Sequence, residues 1–289
     1  MRRSALVVLT LIVIACRSTT PAGPAAAPAA APAPAGAGAQ FNKAFLFSTL
    51  WIQTAAEYHA AALQTFGAAT RALDAMLADA SATAAVEQTG SFGALPPAVV
   101  VDIDETMLDN SPFQARLIID GTLYSEELWS GWVEERKAQP VPGAVAFARA
   151  AADRGVVVFY VSNRNEAGET ATRDNLRAAG FPLDERFDTV LLRGEREFLA
   201  SDKSARRSAV ASTHRVLLMI GDDLGDFLPN VRTSPAEREA MVERHAAWWG
   251  TRWFVVPNPM YGSWQLALTA GAAPAEIPGR FINSLRPER

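Results

Sequence analysis

The stretch Ala98-Val99-Val100-Val101-Asp102-Ile103-Asp104-Glu105-Thr106 passes abruptly from apolar to acidic. Pro96-Pro97 brackets its start, so residues 98–103 read as a short strand. Unbroken valines, with no polar alternation, suit a strand buried on both faces, the kind found in parallel sheets. The pattern repeats downstream at residues 156–161 and 215–220, and more weakly at 189–192 and 253–256. Helical patterns fill the gaps at 143–154, 166–179, 201–211 and 235–248, the first two followed by Gly155 and Gly180, as helix ends require. Strand and helix in alternation predict an α/β fold, a Rossmann-like parallel sheet with helices on both faces. Upstream, Phe45, Leu46, Trp51, Ile52, Ala55, Ala56, Tyr58 and Leu63 recur at helical steps between residue 41 and about residue 80. They read as a packed stripe within an N-terminal helical extension, 41–95, of one domain, 41–289.

Ligands bind at the carboxyl ends of such strands. The first strand runs into Asp102-Ile103-Asp104-Glu105-Thr106, the second into Ser162-Asn163-Arg164, and the third into Gly221-Asp222-Asp223-Leu224-Gly225-Asp226. Phosphoryl transfer needs a nucleophile, positive charge around the phosphoryl oxygens and a proton for the leaving group. Extended geometry would put Asp102 and Asp104 on one side, one to attack phosphorus and one to supply the proton. An all-oxygen site suits Mg²⁺, and Asp222 with Asp223 or Asp226 adds the acids it needs. Ser162 and nearby backbone N–H groups suit phosphate oxygens, and Lys203 at a helix start adds a fixed charge. Each motif alone has a plain reading as a turn, a cap or a solvated lysine. Their order along the chain, each at a strand end or helix start, carries the functional reading.

In that order, Asp102 to Thr106, Ser162, Lys203 and Gly221 to Asp226 resemble the four motifs of the haloacid dehalogenase superfamily. Longer stretches resemble its class C acid phosphatases, an outer-membrane lipoprotein group. They are Asp104-Glu105-Thr106-Met107-Leu108-Asp109-Asn110-Ser111-Pro112, Val141-Pro142-Gly143-Ala144-Val145, Phe159-Tyr160-Val161-Ser162-Asn163-Arg164, and Pro257-Asn258 with Tyr261-Gly262. Trp51 through Tyr58 is similar to that group's N-terminal helix. The resemblance implies an Mg²⁺-dependent acid phosphatase acting on phosphomonoesters, nucleoside 5′-monophosphates and nicotinamide mononucleotide among them, through an aspartyl-phosphate. It implies Asp102 as nucleophile and metal ligand, and Asp104 as acid/base with its carbonyl on the metal. Ser162, Asn163 and Lys203 would hold phosphate, and Asp222 with Asp226 the metal. Asp223 stands where that group has asparagine, which leaves its role open. A nucleobase sandwich would fall on Trp129 and Tyr261, with packing beside Trp132 the competing reading for Trp129. Residues 107–141, with a helix-like 124–137, read as a small cap over the strand ends.

Met1-Arg2-Arg3 and the apolar run 5–15 read as a signal peptide, 1–15, too short to span a bilayer. Val13-Ile14-Ala15-Cys16 resembles a lipobox, so Cys16 is the expected lipidation site, with Arg17 favouring the outer membrane. The Ala/Pro-rich segment following Cys16, to residue 40, reads as a tether. The chain therefore reads as an exported bacterial lipoprotein held at a membrane by its lipid. A net charge of −4 argues against a nucleic-acid duplex as partner. One cysteine excludes an internal disulfide, and the three histidines lack zinc-ligand spacing. Phosphate transfer to another acceptor and non-enzymatic ligand binding are the alternatives, and a homodimer is compatible with the sequence.

Overall fold

The structure, a computed structural model, describes residues 45–287 apart from 187, 196 and 197. The signal peptide, Cys16 and the tether lie outside the described residues. The valine run becomes β1 (Pro97–Val101), the middle strand of a parallel sheet. It pairs with β4 (Val157–Asn165) on one side and β6 (Arg215–Gly221) on the other. β5 (Val190–Arg193) and β7 (Trp253–Val255) complete the order β5-β4-β1-β6-β7. Successive β1 side chains alternate between layers: Val99 and Val101 enter one core, Ala98 and Val100 the other. Both layers are dry, which is why no polar alternation marks this strand in the sequence.

The first layer is built by α1 (Leu46–Thr54), α2 (Ala56–Ala78), α5 (Ala144–Asp153) and α6 (Glu169–Ala179). On α2 the buried residues Tyr58, Ala62, Phe66, Ala69, Leu73 and Met76 fall at steps of three and four, one continuous face. The single helical region expected over 41–80 is broken at Ala55, whose ψ of 124° is extended. Arg215, at the start of β6, donates to the terminal carbonyls of α2, Met76 at 3.0 Å, Leu77 at 3.3 Å and Asp79 at 2.5 Å. Those carbonyls have no partner inside the helix, so the arginine fastens the extension to the sheet. The second layer is closed by α7 (Ser204–Thr213), the 224–228 turn, and the side of α8 (Pro235–Arg244) that carries Met241.

Two short antiparallel strands, β2 (Leu108–Asp109) and β3 (Gln139–Pro140), pinch off a segment that carries α3 (Ser111–Asp120) and α4 (Glu126–Glu135). Only α4 was expected there. Ser111-Pro112 is a helix start with proline in the first turn, and the sequence reading absorbed that signal into a motif. Gly121, at φ +65°, ends α3. Two C-terminal helices, α9 (Ser263–Thr269) and α10 (Ile277–Ser284), also went unread. The pattern at 235–248 resolves into α8 and a separate short turn, 246–248. No helix among the described residues is long and apolar enough to cross a membrane.

Leu73 is fully buried between α2 and the sheet. Leu73→Ala should lower unfolding stability by about 2–5 kcal/mol in urea titrations. A loss under about 1 kcal/mol, the size of an ordinary surface change, would show that α2 is an appendage and not part of the core.

Candidate active site

The β1 ladder continues one residue past the strand, the Asp102 N–H donating to the Ile220 carbonyl at 2.9 Å. The chain then turns. The Ile103 carbonyl accepts from Met107 at 2.9 Å and Leu108 at 2.8 Å, and Glu105 takes φ +60°. Asp102 and Asp104 are thus placed by a tight loop, not by the strand pleat that the sequence reading invoked. Lys203, buried at the start of α7, bridges two strand ends: its Nζ donates to Asp102 Oδ1 and, at 2.6 Å, to Asp226 Oδ1. The Thr106 hydroxyl stands 3.3 Å from Asp102 Oδ2 and 3.2 Å from Asp222 Oδ1. Asn258 donates to Asp222 Oδ2 at 2.7 Å. Gly221 makes this closeness feasible, since a Cβ there would overlap the Asp226 carboxylate.

Asp102, Asp222 and Asp226 bring carboxylate oxygens within 4.8 Å of one another. Burial raises the proton affinity of all three, most plainly Asp222, and neighbouring carboxylates add to the rise; Lys203 opposes it at Asp102 and Asp226. Lys203 pairs with Asp102 and Asp226, while Asp222 meets the neutral Thr106 hydroxyl and Asn258 amide, so three clustered acids stand against one ammonium and the pocket is short of positive charge. An oxygen-only donor set with that deficit fits a hard divalent cation such as Mg²⁺.

The Asp104 side chain lies outside this cluster. Its Oδ1 accepts from Arg164 Nε at 2.9 Å, Arg164 Nη2 at 2.8 Å and Asn110 Nδ2 at 2.9 Å. Its Oδ2 accepts from the Ser162 hydroxyl at 3.0 Å. Asn163 points outward, its amide oxygen held by Arg206 at 2.7 Å, so it does not join Ser162 at Asp104. Asp223 caps the short 224–226 turn, accepting from Gly225 N–H at 2.8 Å, and also takes the N–H and hydroxyl of Ser263. Its role here is structural: it ties the acidic loop to α9.

Trp129, half-buried on α4, packs edge-on to Phe113 at 5.2 Å and faces the Arg164 guanidinium at 5.6 Å. Tyr261, half-buried, donates its hydroxyl to Glu105 Oε2. Glu105 is itself buried and takes the Asn110 N–H on its other oxygen at 2.8 Å. Burial and the nearby Asp104 and Asp109 push its carboxyl well up. Both aromatics therefore stand one residue removed from Asp104, Trp129 through Arg164 and Tyr261 through Glu105.

Arg164, Asn110, Asn258 and Tyr58 stand in the quoted motifs and helical stripe but carry no assigned role there, and Arg206 is not singled out at all. For Arg164 the pleat decides: β4 runs to Asn165, and beyond its apolar run Ser162 and Arg164 are buried while Asn163 and Asn165 are exposed. Period-two alternation in a polar strand end marks which side chains enter the site. Tyr58 comes from the N-terminal extension. Burial raises its hydroxyl's pKa, and Asp109, Glu105 and Asp222 raise it further.

Comparison with known proteins fits this geometry. The model of the HAD superfamily subfamily IIIB acid phosphatases matches residues 37–264. The chain belongs to that family. Its members are phosphoric monoester hydrolases. The class C acid phosphatase from Bacillus anthracis is similar in structure, with a TM-score of 0.75 at 31% identity, covering 86% of this chain and all of that one. A second structure of that protein, with tungstate bound, matches equally well at 32% identity. Acid phosphatase 1 of Solanum lycopersicum is 26% identical over 166 residues, 56% of this chain and 57% of its own length. The stem 31 kDa glycoprotein of Glycine max is 23% identical over 166 residues, 56% of this chain and 58% of its own length. The chain thus spans under two thirds of these plant relatives.

Lys203→Met strands two buried carboxylates, and breaking a buried pair in this way costs about 3–5 kcal/mol. In metal-free buffer the variant should lose that much unfolding stability, and adding Asp226→Asn should recover part of it. Additive losses in this double-mutant cycle would show that the lysine and Asp226 are not coupled.

Proposed function

We propose that this protein is an Mg²⁺-dependent acid phosphatase that hydrolyses small phosphomonoesters, nucleoside 5′-monophosphates among them, through an aspartyl-phosphate on Asp102. The observation that carries the reading is the cluster of Asp102, Asp222 and Asp226 beyond adjoining strand ends, with Lys203 paired to Asp102 and Asp226. Asp102, Asp222 and Asp226 would hold the ion. Bound Mg²⁺ supplies charge that lets a carboxylate approach a phosphate dianion. Tungstate, a tetrahedral oxyanion of phosphate's shape, is bound by the Bacillus anthracis relative, which supports a phosphoryl site here.

Among the described residues, Lys203 donates to Asp102 Oδ1 while Oδ2 meets the Thr106 hydroxyl at 3.3 Å, so we assign the attack to Oδ2, the less engaged oxygen. As the new O–P bond forms, the bond to the leaving oxygen breaks, and Asp104 gives that oxygen its proton. Asp104 then takes a proton from the water that attacks the acyl-phosphate, and free phosphate leaves. Ser162 and Lys203 donate to the phosphoryl oxygens. Asp102→Asn cannot form the acyl-phosphate. It should retain less than about a hundredth of the parent rate, a barrier of roughly 2.7 kcal/mol, and give no phospho-enzyme on rapid acid quench. A variant faster than that assigns the attack to another residue.

The nucleotide preference rests on Trp129 and Tyr261, half-exposed aromatics flanking the loop that bears Asp104. Stacking on an aromatic face is worth about 1–3 kcal/mol per base and tolerates many bases. Trp129→Ala and Tyr261→Ala should each lower kcat/KM on nucleotides by about ten- to a hundredfold, with little change on glycerol phosphate. An unchanged ratio between the two substrates would make both residues packing groups. The anchor reading concerns Cys16 and is independent: Cys16→Ser should abolish palmitate labelling and membrane retention, and equal labelling of parent and variant would overturn it.

A further inference from the structure

Arg164 does not enter the scheme above, yet it makes more contacts with Asp104 than any other residue. Its guanidinium is 1% exposed and donates twice to Asp104 Oδ1, at 2.9 and 2.8 Å. Nη1 donates to Thr172 on α6 at 3.2 Å, and the Arg164 N–H donates to Ser162 Oγ at 3.0 Å. Asn110 adds a third donor to the same carboxylate oxygen at 2.9 Å, and its own amide oxygen is pinned by Trp132 Nε1 at 2.8 Å. Asp104 Oδ1 is therefore saturated by donors that are buried and cross-braced. A proton on Oδ1 would point into N–H groups that have nowhere to go. Among the described residues, Oδ2 meets only the Ser162 hydroxyl, at 3.0 Å, a rotor that can donate or accept. The two oxygens of the acid are thus unequal before any substrate arrives.

We infer that Arg164 is the positioning residue of the general acid: by occupying Oδ1 it confines the transferable proton to Oδ2, the oxygen beside Ser162. The inference rests on the acid role given to Asp104 in the proposed function. The balance is that of the first step. The P–O bond to the leaving group breaks with its electron pair on that oxygen, the Oδ2 proton moves to it, and Asp102 supplies the new bond to phosphorus. Arg164 exchanges nothing; it fixes which lone pair faces the leaving oxygen. Its outer side also stands 5.6 Å from the Trp129 ring, so the cap helix α4 rests on the residue that orients the acid.

A positioning role has a signature that loss of packing lacks. Leaving groups such as 2,4-dinitrophenolate depart without a proton, whereas the alkoxide of glycerol phosphate needs one. We would measure kcat/KM across esters between these extremes for the parent, Arg164→Gln, Arg164→Lys and Asp104→Asn, each corrected for folded fraction. Arg164→Gln should lose about tenfold or more on glycerol phosphate, the scale of a misplaced catalytic group, and on the order of twofold or less on the dinitrophenyl ester. Millimolar guanidinium should restore part of the selective loss. Should Arg164→Gln fail to fold, Arg164→Lys decides, because its point charge cannot reproduce the fork and should show the same selectivity. Equal losses across the series in the Arg164 variants, with Asp104→Asn still selective, overturn the inference and leave the acid role standing. Equal losses in Asp104→Asn overturn the acid role and the inference with it.

Discussion

Lys203 between Asp102 and Asp226 is the constraint on which the rest of the site depends. A lysine buried to 7% exposure is stable only beside carboxylates. Those carboxylates in turn come from strands separated by more than a hundred residues of chain. The parallel sheet solves this by setting β1 and β6 side by side, so Asp102 and Asp226 meet at adjoining ends. Gly221 has no side chain, and Asp226 occupies the space that one would take. Remove the adjacency, the glycine or the lysine, and the acids repel without compensation. With them, the cluster is held together and remains short of positive charge, which is what the proposed cation site requires.

Around that core, the remaining polar contacts fix loops. Asp223 joins the acidic loop to α9 through Ser263, and Arg238 donates to the same hydroxyl at 2.6 Å. Glu105, in a left-handed conformation, gathers Asn110 and Tyr261 around the Asp104 loop. A non-glycine residue held at positive φ is unfavourable on its own and persists where its surroundings over-determine it. Here the surroundings are a buried carboxylate with partners on both oxygens. The backbone that presents Asp102 and Asp104 is therefore set by side chains from the C-terminal loop and from the segment that begins at β2.

The strands were legible because burial on both faces leaves no choice but apolar residues, and Ala98 to Val101 shows it without alternation. Asp102, Asp222 and Lys203 were legible because their motifs sit where such strands end. Extended geometry would pair Asp104 with Asp102 on one side of a strand, but β1 stops at Val101 and a loop places both. Arg164 stands in the quoted strand-end motif, but its role was not legible because nothing in the sequence says that the pleat continues to Asn165 and turns Arg164 inward with Ser162. Asn163 looked equivalent to Ser162 in sequence, and the pleat sends it the other way. Asp223 could be recognised as a cap only once the 224–226 turn was seen. Helix α3 escaped because its apolar face, Phe113 and Leu117, is narrow and its start coincides with a motif.

The central claim is that the buried acids form one divalent-cation site completed by Asp222. Calorimetric titration of Mg²⁺ into the protein, repeated at rising pH, tests it most directly. The account predicts saturable binding of one ion that strengthens as pH rises, because burial raises the carboxylates' proton affinity and protons compete with the ion. It also predicts loss of that binding in Asp222→Asn. Absence of binding in the parent, or unchanged binding in Asp222→Asn, would contradict it.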